Sequence, residues 1–124
     1  MDRWLCKGKI HRATVTEANL DYVGSITIDK RLMDLTDILP FEMVQITSLR
    51  NGMRWKTYAI PASPGSGKIC LNGPPAHFFQ PGDLVIILSM ALFTEEEIAR
   101  LEPTVIFVDE LNRVTGIEKH TVSR

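Results

Sequence analysis

Apolar and polar residues alternate over short stretches of this chain, and few apolar patterns run long enough for a substantial helix. Residues 25–29, Ser-Ile-Thr-Ile-Asp, alternate as a half-buried strand does, and Gly24 breaks the pattern just before them. An earlier strand is predicted near residues 8–16, with a turn over 17–21. The stretch 30–39 has the spacing of a short amphipathic helix, with Pro40 to end it. "EMVQITSL" and "MRWKTYAI" flank Arg50-Asn51-Gly52 and form the clearest element, a β-hairpin signalled by Asn-Gly. "PASPGSG" reads as a loop, "KICL" as a strand, and Asn72-Gly73-Pro74-Pro75 as a turn. "PGDLVIIL" is a continuous apolar run suited to a buried strand. Thr94 and Glu97 fit a capping box for a helix over "EEEIARL", closed by Pro103, and "TVIFV" is a last strand. The polar residues 109–124 are expected to be a mobile tail. Short strands at close spacing with two short helices predict a mainly β barrel or sandwich, one domain over 1–124.

Composition narrows the partners more than the fold. With 124 residues and a formal charge of −1, the chain suits a small globular domain and gives no reason to expect nucleic acid. No apolar run approaches a membrane span. The start, "MDRWLCKGKIHR", places charges where a secretory signal needs apolar residues, so a cytoplasmic protein is expected. Two cysteines, Cys6 and Cys70, make no disulfide framework and read as reduced thiols.

Candidate chemistry is sparse. "PGSGK" at 64–68 resembles a phosphate loop but has Ala62 where glycine is needed and Ile69 where serine or threonine is needed. His11, His77 and His120 have no metal-ligand spacing with the cysteines, so no metal is expected. Lys9 and His11 share one strand face. Arg54, Lys56 and Tyr58 share one face of the second hairpin strand, with Trp55 and Thr57 on the other. Such a basic and phenolic stripe suits a small dianion, and equally a solvated strand face.

The order and spacing of several short segments resemble the bacterial aspartate 1-decarboxylases, a family of pyruvoyl enzymes. These are Lys9-Ile10-His11-Arg12-Ala13, Tyr22-Val23-Gly24-Ser25, Asn51-Gly52 with Arg54, Thr57-Tyr58, Asn72-Gly73 and Gly82-Asp83-Leu84-Val85. The resemblance extends to about Val108. It implies a small double-psi β-barrel with short helices, assembled as a homotetramer with active sites between subunits. It implies self-cleavage between Gly24 and Ser25, giving chains 1–24 and 25–124, with Ser25 becoming a covalent pyruvoyl cofactor. A maturation partner is compatible with the resemblance but not indicated by it.

The implied reaction is conversion of L-aspartate to β-alanine and CO2, for pantothenate synthesis, through a Schiff base on that pyruvoyl group. Ser25 and Tyr58 are the implied catalytic residues, with His11 competing as proton donor and Tyr22 accessory. Gly24, Ser25 and Thr57 are implied in processing: Gly24 is expected to adopt a strained backbone and Thr57 to donate to its carbonyl. Lys9, Arg54, Thr57, Asn72 and Gly73 are implied in substrate binding. A strong ion pair on the departing α-carboxylate would stabilise the ground state, so Arg54 is expected on the β-carboxylate. Pro74 and Pro75 line the same corner but stand where the family usually has small residues with free amides. Proline has no N–H, so the Gly73 and Ala76 amides and the Asn72 side chain are the donors expected to remain. The alternatives are a non-catalytic β-barrel assembly or binding protein, and a decarboxylase of another small acidic amino acid.

Overall fold

The computed structural model describes residues 1–122. Positions 123 and 124, part of the expected mobile tail, lie outside the described residues. The strands are β1 Arg3–Thr14, β2 Glu17–Asn19, β3 Ser25–Asp29, β4 Met43–Ser48, β5 Arg54–Ala62, β6 Ile69–Asn72, β7 Leu84–Phe93, β8 Thr104–Val108 and β9 Val114–Lys119. Helices α1 (Lys30–Leu35) and α2 (Glu95–Ile98) are short, and a 3-10 turn spans Pro74–His77. Among the described residues the strands form one sheet in the order β2-β6-β3-β5-β4-β7-β1-β8-β9. The corner between β1 and β2 draws this sheet round on itself. Val15 N–H donates to Asp83 O, beside β7, and Thr16 N–H donates to Ile69 O, in β6, both at 2.8 Å. The result is the expected mainly β, barrel-like fold. Its interior is filled by Ile10, Ile26, Ile28, Ile46, Leu71, Phe79, Ile87 and Ile106, all fully buried. Burying each such side chain contributes about 1.5–3 kcal/mol relative to exposure.

Local chemistry explains most boundaries. The Asn51-Gly52 hairpin forms as its sequence predicts: Gly52 has φ +72°, and Asn51 Oδ1 accepts from Met53 N–H at 2.9 Å. The Thr94–Glu97 capping box is present. Helix α1 stops before Pro40. Asp37 takes a left-handed φ of 56°, and Ile38 N–H returns to Met33 O at 2.9 Å. Strands β1 and β7 are longer than predicted, because Arg3 to Cys6 pair with Met90 to Phe93. The expected 17–21 turn contains β2, paired with β6.

Among the described residues, the polar segment after Asp109 is anchored by one asparagine. Asn112 is buried, at φ +60°. Its side chain accepts from Thr14 N–H and donates to Thr14 O and Gly67 O, each at 2.8 Å. Beyond it, β9 pairs with β8, which corrects the expectation of a mobile segment for Val114–Lys119.

The phosphate-loop resemblance has a physical answer. The loop that carries "PGSGK" does present amides to an anion, but the anion is internal. The buried Asp29 carboxylate accepts from Gly65 N–H at 3.0 Å, Gly67 N–H at 2.9 Å and Arg31 N–H at 2.9 Å. It therefore caps α1 and closes the loop at once.

Candidate active site

Ser25 heads β3 and is fully buried. Its hydroxyl donates to Val23 O at 2.9 Å. Across the antiparallel β3–β6 ladder its partner is Asn72. The Asn72 side-chain amide donates to Ser25 Oγ at 3.0 Å and to Thr27 Oγ1 at 2.9 Å. The Cys70 thiol donates to Asn72 Oδ1 at 3.2 Å. Side chains two apart on a strand share a face, which is why Ser25 and Thr27 on β3 meet Cys70 and Asn72 on β6. Thr27 and Cys70 escaped the sequence reading. The available signal was their two-residue offset from Ser25 and Asn72.

The backbone beside Ser25 is closed by Gly73, not by strain at Gly24. Gly24 lies outside the left-handed region, and a Cβ on it would find Pro74 Cδ at 3.6 Å, an ordinary contact. Gly73 has φ +76°, and a Cβ there would lie 2.8 Å from Gly24 Cα and 3.1 Å from Tyr22 O. The conformational demand assigned to Gly24 therefore falls on Gly73, the residue that allows the two chain segments to touch. The amides expected to remain available are also committed. Gly73 N–H donates to Asn19 O at 2.8 Å, and Ala76 N–H donates to Gly73 O at 2.9 Å. Pro74 and Pro75 open the 3-10 turn, where a missing N–H is tolerated.

Strand β5 brings Thr57 and Tyr58 to the same region. The parallel β3–β5 ladder pairs Ile26 with Ala59. Continuing that register backward sets Tyr58 level with Ser25 and Thr57 level with Gly24. Tyr58 shares the face of Ser25 and Thr27, and its ring stacks on Phe41 at 5.4 Å. Phe41, another residue missed from sequence, is held by its N–H to Ala59 O at 2.8 Å. Thr57 points to the other face and is buried. Among the described residues its hydroxyl makes no hydrogen bond to Gly24 or Ser25.

The remaining expected residues lie elsewhere on the sheet. Arg54 lies four residues from Tyr58 along β5, roughly 13 Å at strand rise. Lys9 sits on β1, four strand spacings from β3 in the sheet order, roughly 19 Å along the sheet. His11 lies further along β1 with its ring edge-on to Phe107 at 5.5 Å. It faces a separate hollow of about 270 Å³ with Arg12 and Asp109. Partial burial lowers the His11 pKa, and the charges of Lys9 and Arg12 lower it further.

A cleft of about 470 Å³ opens on the Ser25 side of the barrel, lined by Tyr22, Thr27, Ile60, Lys68, Cys70 and Asn72 among others. Burial raises the Cys70 pKa, Glu17 reinforces the shift and Lys68 opposes it. Among the described residues no cluster of three or more His, Cys, Asp or Glu is placed to hold a metal ion. No described helix is long and apolar enough to cross a membrane. The arrangement is a buried serine hydroxyl beside its own preceding peptide bond, oriented by an amide, with a phenol on the same face.

The family model described as aspartate decarboxylase matches residues 1–115. The chain is 56% identical over 119 residues to the aspartate 1-decarboxylase of Acetivibrio thermocellus, covering 94% of each. It is 56% identical over 113 residues to that of Thermoanaerobacter pseudethanolicus, covering 91% of this chain and 97% of the relative. It is 55% identical over 117 residues to that of Listeria monocytogenes, covering 94% of this chain and 92% of the relative.

Proposed function

The chain belongs to the aspartate decarboxylase family, and on that premise we propose that it cuts itself between Gly24 and Ser25 and then decarboxylates L-aspartate to β-alanine, a precursor for pantothenate synthesis. The observation that carries this reading is the buried Ser25 hydroxyl, oriented by Asn72 beside a peptide bond that Gly73 packs against.

In processing, Ser25 Oγ attacks the Gly24 carbonyl carbon. The C–N bond breaks, and the former hydroxyl proton is balanced by the proton gained at the Ser25 nitrogen. Proximity supplies most of the rate, since a serine hydroxyl is a weak nucleophile. Thr57, level with Gly24 by the β5 register, is the donor we assign to the carbonyl oxygen as charge develops there. The ester then eliminates, and hydrolysis of the resulting dehydroalanine gives the pyruvoyl terminus and ammonia.

Position 25 fits such a group. It is closed from bulk solvent, has one amide N–H donor at its side-chain oxygen and abuts a glycine whose Cβ would clash. The pyruvoyl carbonyl supplies an electron sink for the charge that decarboxylation leaves on the substrate. Tyr58, on the same face and braced by Phe41, is positioned to return a proton to substrate Cα. No backbone amide of Gly73 or Ala76 is free for the carboxylates, so that work falls to side chains. Arg54 is assigned to the β-carboxylate, which survives the reaction.

Lys9 stands four strands from Ser25 in the sheet order, and we assign it to the site of a second copy, as the resemblance to a family with shared sites implies. The outer face of β1, β7 and β4 offers the contact: Trp4 is 69% exposed, with Met43, Met90 and Leu92 exposed beside it. We assign the assembly as a homotetramer. Sedimentation of the mature protein is expected to give four cleaved protomers per particle, and a fully active monomer would refute the shared site. Intact mass spectrometry tests the function itself. The expected products are the 24-residue fragment ending at Gly24 and a second chain with a blocked pyruvoyl start. An uncut chain after prolonged warming would overturn the reading.

A further inference from the structure

The Asn72 carboxamide is held by three groups: the hydroxyls of Ser25 and Thr27 on its nitrogen side, and the Cys70 thiol on its oxygen side. Both hydroxyls can donate as well as accept. A half-turn of the carboxamide would bring Oδ1 to face them. Ser25 would then exchange its bond to Val23 O for one to Oδ1, and Thr27 would donate as well. On the hydroxyl side the turn exchanges three hydrogen bonds for two, because Val23 O loses its Ser25 donor. On the other side the turn would exchange the S–H bond to Oδ1 for one from the amide to sulfur, a weak acceptor, and so adds to the same preference. We propose that Cys70 is a positioning residue whose S–H reinforces the arrangement in which Asn72 presents N–H, rather than C=O, to the Ser25 oxygen. The burial that raises the Cys70 pKa keeps this donor protonated.

The preference bears on one chemical step, and to that extent it rests on the self-processing reading above. In the ester, the former Ser25 Oγ joins Gly24 to Ser25 Cβ. Elimination transfers the Ser25 Cα proton to water acting as base. The Cα–H electron pair forms the new double bond, and the Cβ–O pair leaves with oxygen as the Gly24 carboxylate. An N–H donor at that oxygen stabilises the departing charge, whereas a carbonyl oxygen would oppose it. Losing the thiol should therefore slow elimination more than attack and leave ester behind.

The test follows processing of the full-length chain by intact mass, with and without hydroxylamine. Hydroxylamine cleaves the ester to a free N-terminal serine, but converts a pyruvoyl terminus to its oxime, so the two species are separable. Cys70→Ser retains a donor and is expected to mature close to the wild-type rate. Cys70→Val, which keeps volume without a donor, is expected to mature about threefold more slowly, the size of one weak hydrogen bond, and to accumulate ester. Cys70→Ala is the second donor-free variant should the valine chain not fold. A donor-free chain that matures at the wild-type rate with no ester overturns the role of Cys70 alone. So does a Cys70→Ser chain as slow as Cys70→Val, since packing would then explain both. A wild-type chain that never cleaves overturns the self-processing reading instead.

Discussion

The two ends of β3 bury polar groups in opposite ways. At Asp29 a carboxylate receives three backbone N–H groups from Arg31, Gly65 and Gly67. Those donors cannot turn round or become acceptors, so the arrangement has one setting. At Ser25, four residues earlier, the hydroxyl and its partners Asn72 and Thr27 can exchange donor and acceptor roles. Both ends are nearly inaccessible to solvent. The difference teaches that burial alone does not make a polar group inert. A group whose partners are all fixed donors stabilises the fold, whereas a group in an adaptable network can change bonds during chemistry.

The largest expected effect comes from removing the reactive end. Ser25→Ala should abolish cleavage and decarboxylation together, since no hydroxyl remains to attack Gly24. It should lower the melting temperature by less than the Asp29 change below, because one Asn72 N–H loses its acceptor while Thr27 and Cys70 remain as partners. Mass and thermal melting on one preparation check both halves. Cleavage surviving in this variant would break the comparison outright.

Next in size is the opposite end. In the Ser25→Ala background, which keeps a single uncut chain, Asp29→Ala should lower stability by about 2–4 kcal/mol. It strands buried amides and frees both the α1 cap and the "PGSGK" loop. Urea unfolding measures the loss. Placed alone in the cleavable chain, the same substitution should leave processing of folded material close to wild type. A large fall in processing without a fall in stability would mean that the two ends are not separate in function.

How much of this was legible differs along the same strand. The alternation of Ser-Ile-Thr-Ile-Asp showed the strand itself, and Asn51-Gly52 and Thr94 with Glu97 showed a hairpin and a helix start, because each signal is complete within a few residues. Ser25 with Asn72 was visible only through the spacing of short segments resembling a known family. Two of the three partners of Asp29 lie 36 and 38 residues away and carry no local mark. Neither does Asn112, which reaches Thr14 across 98 residues and orders a segment that composition alone would leave mobile. The glycine demand was misplaced for the same reason. Gly24 breaks a visible pattern, whereas the need at Gly73 arises from a neighbour 49 positions earlier in the chain. Lys9 and His11 read as one site with Ser25 in the sequence, but the sheet order separates them.

The smallest effect sharpens the reactive end by changing only what the substrate meets. Pro74 and Pro75 withhold two amides, and the Gly73 and Ala76 amides are already bonded to Asn19 O and Gly73 O. Replacing both prolines with alanine supplies two N–H groups at the first positions of the 3-10 turn, where intrachain acceptors are lacking. One new hydrogen bond to a substrate carboxylate corresponds to about 0.5–1.5 kcal/mol, so KM for aspartate should fall by roughly two- to tenfold. Each substitution also frees the unfolded chain, at a cost of about 0.4–1 kcal/mol in stability. Cleavage should proceed at the wild-type rate, since neither amide is needed at Gly24 or Ser25. Steady-state kinetics with aspartate, beside the processing time course, separates the two effects. A processing rate that falls while KM holds would show that Pro74, packed near Gly24, serves the peptide bond rather than the substrate.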